Sequence, residues 1–181
     1  MVTQAPAQPP AAPTQTAAPE LRAASQESAV APELGPISSK AAPKIDPSWT
    51  ACAETMKSKG LDPVREVAAL SSACAAVTHM KLVSKTLTGK QSDADAPQSY
   101  PFQADANRCY RVYAQADGRI ESLNVAIVDS AGIVTGQGSS AGSTVIVLRD
   151  GAVCFKESGA ATIVVSVGRG GGAYALQVWG D

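Results

Sequence analysis

The sequence predicts an antiparallel β-sandwich set behind a short α-helical hairpin and a disordered leader. Three observations lead there. From Tyr100 onward apolar residues recur with a period of two, as Tyr110, Val112 and Ala114 do against Arg111, Tyr113 and Gln115. These runs are short and end in turn signals such as Asp117-Gly118 and Asp150-Gly151, which suits seven or eight strands. Upstream, the character of the chain changes twice. Residues 1–47 hold nine of the twelve prolines, and residues 48–90 carry helical spacing instead.

The leader, 1–47, is rich in alanine, proline, glutamine and serine. Alanine inflates its apolar content, and few large side chains remain to offset backbone ordering of about 1–2 kcal/mol per residue. It is expected to be disordered, a spacer rather than a packed element. The foldable part is enough for one modest core.

The helical hairpin is expected over 48–90. Thr50 is the candidate N-cap of a first helix, with Trp49, Cys52 and Met56 on one face and Gly60 as its stop. Asp62-Pro63 starts a second helix, an acidic cap followed by proline at the first position. Val67, Leu70, Cys74 and Val77 form its stripe. His79 falls near its end, where a histidine is favourably placed against the helix dipole and no nucleophile is nominated beside it. Residues 82–97 are polar and read as a linker. Asp93 and Asp95 open like a calcium loop but lack its glycine and its distant bidentate acid.

The module proper is 98–181. Tyr100, Phe102 and Ala104 alternate inward, as do Leu123, Val125 and Ile127, then Ile163, Val165 and Val167, and finally Tyr174, Leu176 and Val178. The glycine-rich stretches 136–142 and 168–172 lie between strand-like runs rather than before a helix, so they read as connectors and not as nucleotide loops.

Cys52, Cys74, Cys109 and Cys154 have spacings that match no zinc ribbon or redox motif, and one histidine cannot complete a metal set. Structural disulfides are expected ahead of free buried thiols or a metal, with Cys52 paired to Cys74 and Cys109 to Cys154. The first pairing sits about 6 Å from ideal helical register, which a splayed turn would absorb. Disulfides imply an oxidising compartment, hence export. The first residues, Met1-Val2-Thr3-Gln4-Ala5-Pro6, show no signal-peptide pattern, so that expectation rests on the cysteines.

One family shares the order of these motifs. Phe102-Gln103-Ala104 precedes a Cys-Tyr-Arg-Val strand at 109–112. Leu123 to Asp129 is followed by Gly132, and Ala161 to Val167 by a Gly172-Ala173-Tyr174-Ala175-Leu176-Gln177-Val178 close. This resembles the bacterial pre-peptidase C-terminal domain over residues 98–180, which implies a jelly-roll-like sandwich and binding, secretion or stability roles rather than chemistry. The chain departs from that pattern in keeping only Asp129 of the aspartates beside the central strand, and nothing upstream reads as a peptidase. It is also similar to uncharacterised bacterial envelope proteins, including lipoproteins.

A net charge of −1 with mixed signs gives no basic track for nucleic acid, and no apolar run is long enough to span a bilayer. The expectation is a non-enzymatic protein, exported to the periplasm, tethered to the outer membrane or secreted. It would bind or scaffold a protein or glycan of the cell envelope and need no cofactor or metal. The alternative is a carbohydrate- or peptidoglycan-binding module in which Arg111, Tyr113 and Trp179, all off the core face, form a stacking platform. A hydrolase built on Ser139 or Ser140 is disfavoured, because no Gly-x-Ser-x-Gly elbow is present and the only base candidate, His79, lies in the hairpin.

Overall fold

The computed structural model describes residues 38–54 and 58–181, which fall in one compact unit. The disorder expected for residues 1–37, and Met56, lie outside the described residues. The end of the expected leader belongs to the fold. Strand β1, Ala41–Ile45, pairs antiparallel with β9, Gly151–Phe155, from Ala41 opposite Phe155 to Ile45 opposite Gly151. Pro43 is tolerated because β1 is an edge strand, where a missing donor breaks no ladder.

The helical part is shorter than a hairpin of two matched helices. Pro47–Thr50 forms a 3-10 turn and Ala51–Glu54 one turn of helix, α1. Asp46, not Thr50, is the cap, its carboxylate accepting from Ser48 N at 3.1 Å, whereas the Thr50 hydroxyl turns back to the Pro47 carbonyl. Helix α2, Pro63–Thr78, starts as its sequence dictates: the Asp62 carboxylate accepts from the amides of Val64 and Arg65, and Pro63 leads. Its buried stripe is Val67, Leu70, Ser71, Cys74 and Thr78. Val77 is exposed instead, because the helix ends at His79 in the left-handed region and the stripe rotates one residue on.

The expected linker contains strand. Strands β2, Lys81–Leu82, and β3, Leu87–Ser92, both pair with β10, Gly159–Gly180. Their alternation was hidden because an edge strand needs only one apolar side. β4 is Gln98–Ala104, β5 Arg108–Ala116, β6 Ile120–Val128, β7 Val134–Ser140 and β8 Thr144–Ile146. β7 overturns the expectation of a glycine-rich connector. A Cβ on Gly138 would stand 2.6 Å from the Ile146 carbonyl oxygen, so glycine is there to let β8 approach.

β10 organises the whole. The sequence suggests two strands around a glycine loop, but the structure has one strand of 22 residues. Its first half lies between β4 and β6, with β7 beyond β6; these four form the open sheet. Its second half lies between β5 and the pair β2 and β3; β9 and β8 flank the far side of β5, and β1 closes the edge. These form the covered sheet. Every pairing is antiparallel, and through β10 the two sheets become one nearly closed, barrel-like whole with α2 packed outside. Near residues 167–170 the register shifts, and Gly170 takes φ 88°. That bulge changes the inward set from Ile163, Val165 and Val167 to Tyr174, Leu176 and Val178, an odd-to-even switch that keeps both halves facing one core.

The core between the sheets is built from the expected rows. Tyr110, Val112 and Ala114 of β5 meet Leu123, Val125 and Ile127 of β6 and both rows of β10. Phe102, Tyr110 and Phe155 contact edge to face at centroid distances of 5.4 to 6.3 Å. Both expected disulfides are formed: Cys52–Cys74 joins α1 to α2, and Cys109–Cys154 joins β5 to β9 directly opposite one another. The second lies within the β-module, between two of its strands. It sits on the outer side of the covered sheet with Trp49, Met80 and Trp179.

Candidate functional site

The sandwich has two outer faces, and the residues named from the sequence lie on the one that a helix covers. Arg111, Tyr113 and Trp179 do leave the core together on the covered sheet. Helix α2 then lies over them, because its stripe of Val67, Leu70 and Cys74 needs an apolar partner and finds Tyr113, Ile146 and Ala175. Arg111 and Tyr113 have no exposed surface at all, and Trp179 is half-buried with its ring edge-on to Tyr113 at 6.4 Å. They cannot act as a stacking platform. The Arg111 guanidinium is instead a packing element, 5.4 Å from the ring centres of both Trp49 and Tyr113, donating to the carbonyls of Trp49 and Arg149. Burial pulls its pKa below the ordinary arginine value, with Tyr113 and Asp150 opposing that, and burial pushes the Tyr113 hydroxyl up.

Most polar atoms on this face are used internally; Arg111 Nε and Nη1 and the Tyr113 hydroxyl are buried without a hydrogen-bond partner among the described residues. Gln177 is the hub: its Oε1 accepts from Ser71 of α2 at 2.6 Å and from the Trp179 indole at 3.1 Å, while its Nε2 donates to Thr86 at 2.8 Å. Gln115 accepts from Thr144.

The open sheet has no such layer. Its outward residues come from the same alternation: Ser122, Asn124, Ala126 and Val128 on β6, Thr162, Val164 and Ser166 on β10, Gln137 and Ser139 on β7, and Ser99, Pro101 and Gln103 on β4. In register they form cross-strand rows, Ser99–Val164–Ala126–Gln137 and Ser166–Asn124–Ser139. Those two rows, apart from Ser99, line a trough of about 470 Å³. None of these twelve residues is charged; charges stand at the ends of the rows and, in Arg149, at the side beyond Gln137 and Ser139. The Glu121–Arg169 ion pair (2.8 Å) lies beyond Ser122, and Lys40, bonded to Ser130, lies beyond Val128.

The side chains of Asn124, Gln137, Ser139 and Ser166 make no hydrogen bond within the described residues. Elsewhere the short polar side chains are largely engaged, as Ser38 with Asp129, Ser58 with Glu66 and Ser92 with Asp95 show. Sequence reasoning missed this site because its residues look like ordinary solvent-facing alternation. The available signal was the absence of Lys, Arg, Asp and Glu from every outward position between 122 and 128 and between 160 and 168.

The remaining candidates do not converge. Ser139 lies on the open face and His79 at the end of α2, on opposite sides of the sandwich. Asp95 accepts from Ser92, and Asp93 from the Gly170 amide at 3.3 Å. Among the described residues no group of three or more His, Cys, Asp or Glu is placed to hold a metal, and no helix is long and apolar enough to cross a membrane.

An antiparallel β-sandwich braced by two disulfides, with one face sealed by a helix, is the class of domain this defines. The chain has a distant, partial structural similarity to the pre-peptidase C-terminal domain of a collagenase from Bacillus anthracis. The TM-score is 0.41 at 13% identity, over 52% of this chain and 87% of that one. No protein-family model matches the chain, and no curated protein does.

Proposed function

We propose that the protein is an exported, non-enzymatic binding or scaffolding module that works through the outer face of its open sheet. The observation that carries this is the cluster of uncommitted Asn, Gln and Ser side chains around an uncharged trough. Hydrogen-bonding groups with no internal partner keep their full capacity for an external one. Export is supported by two disulfides, which persist in oxidising compartments.

A photoreactive benzoylphenylalanine placed at Gln137 tests the surface, with the same group at Ser72, on the exposed side of α2, as control. Irradiation of intact cells should give an adduct from position 137 and none from 72; equal labelling, or none, would refute the surface. Export is read separately by alkylating cell fractions before lysis. Fully oxidised protein outside the cytosol is expected, and reduced protein within it would overturn that half of the proposal.

A further inference from the structure

We infer that the ligand of the open face is a neutral, hydroxyl-rich glycan, an inference that rests on the surface assigned above. Three physical features select it. The first is charge. No residue lining the trough or standing in the outward rows is charged; Arg149, which lines the adjoining hollow beyond Gln137 and Ser139, is paired with Glu54 at 3.7 Å, so an ionic group seated in the trough itself is desolvated without a counter-charge. A polyol carries no such penalty.

The second is hydrogen-bond type. The trough presents two side-chain amides, Asn124 and Gln137, and two hydroxyls, Ser139 and Ser166, all free of internal partners. An amide offers donors and acceptors a fixed distance apart, and a hydroxyl offers either role; sugar hydroxyls need both at close spacing. Between them Ala126 and Val164, paired across β6 and β10, supply a small flat apolar patch suited to the C–H face of a pyranose ring.

The third is size. Four strands at about 4.8 Å spacing and some seven residues of about 3.3 Å give a face of roughly 440 Å². The trough volume of about 470 Å³ falls among small-molecule sites, which run from about 300 to 1,000 Å³. A chain a few sugars long fits a face of this extent.

Affinity electrophoresis of the full chain through gels containing neutral soluble polysaccharides (a glucan, a mannan, a galactan and an arabinoxylan) tests this, with an anionic uronan alongside. At least one neutral polymer should retard the protein. The Asn124→Ala, Gln137→Ala double variant should weaken that retardation at least tenfold while its thermal midpoint stays within a few degrees of the parent. Ser166→Asp, which puts one negative charge in the trough, should abolish it. No retardation by any neutral polymer, stronger retardation by the uronan, or equal retardation of parent and double variant would each overturn the inference. The photo-adduct at position 137 separates the two failures. A protease-sensitive adduct without glycan retardation leaves the binding surface standing and replaces its ligand by a polypeptide; no adduct and no retardation removes both.

Discussion

The covered and open faces of the sandwich arise from one rule of alternation and end in opposite states. On the covered sheet Arg111, Tyr113, Gln115 and Gln177 leave the core and are buried again under Trp49 and α2, so most of their polar atoms are engaged within the protein, while Arg111 Nε and Nη1 and the Tyr113 hydroxyl are buried without a hydrogen-bond partner among the described residues. On the open sheet Asn124, Gln137 and Ser166 leave the core and meet solvent, with nothing inside the protein to satisfy. Strand period decides which side chains quit the core. Only a second layer decides whether they become structure or surface.

The sharpest way to break that comparison is to substitute across it. Tyr113→Ala removes a large ring wedged between α2, Arg111 and Trp179, and should cost about 3–5 kcal/mol in urea unfolding, the usual range for a fully buried aromatic. A loss below 1 kcal/mol would mean that α2 is only loosely seated. Next is the bridge that holds the cover in place. Replacing Cys52 and Cys74 together with alanine reopens a link across 22 residues, for which chain entropy gives about 3 kcal/mol. The double variant should expose Trp179 to a fluorescence quencher; unchanged quenching would show that the apolar stripe alone secures the helix.

The seam between the two faces is pH-sensitive in one place. Asp117, in the turn from β5 to β6, accepts from the Arg119 guanidinium at 2.7 Å and from the Ala173 amide at 2.8 Å. Its pKa is lowered to about 2, chiefly by the Arg119 hydrogen bond. A carboxyl depressed in the folded state stabilises it above the unfolded value near 3.9, and that contribution is lost as pH falls towards 2. The loss should be about 2 kcal/mol between pH 4 and pH 2, on top of the general acid effect. Asp117→Asn should flatten stability across that window; an equally steep fall in the variant would place the acid sensitivity elsewhere. Smallest of all, Asn124→Ala, Gln137→Ala and Ser166→Ala should each change stability by no more than about 0.5 kcal/mol, because each group is solvated and unpartnered. A larger loss at any of them would make the open face a structural one.

The core rows were legible because a period of two survives inspection wherever large residues mark it, as at Tyr110, Val112, Leu123, Val125, Ile163 and Leu176. The Asp62-Pro63 helix start was legible because local chemistry determines it, whereas the cysteine pairings, across 22 and 45 residues, followed from keeping each bridge within its own part of the fold. Residues 82–97 were not, since β3 packs one side on β10 and leaves the other polar. β7 was hidden by Gly136 and Gly138, whose meaning lies in how closely β8 and β9 approach, a fact of tertiary structure. The covered platform misled for a related reason. The stripe Val67–Leu70–Cys74 announces that α2 must lie on something, but nothing in its own sequence says that Tyr113 and Arg111 are beneath it.

Strand β10 also governs the order of assembly. It is the last described strand along the chain, and β2, β3, β4, β5 and β6 all have their ladders against it. Before residues 159–180 are available, neither sheet has its central member, and although β5 can pair with β8 and β9 and β6 with β7, each lacks its neighbour on the other side. Neither sheet can be completed from the amino-terminal side until that strand is present. The domain's contacts are predominantly long-range, a topology that folds in milliseconds to seconds rather than microseconds. During that interval the open edges are a hazard for intermolecular pairing, and a chaperone that shields nascent strands would serve this protein most in the moments before β10 emerges.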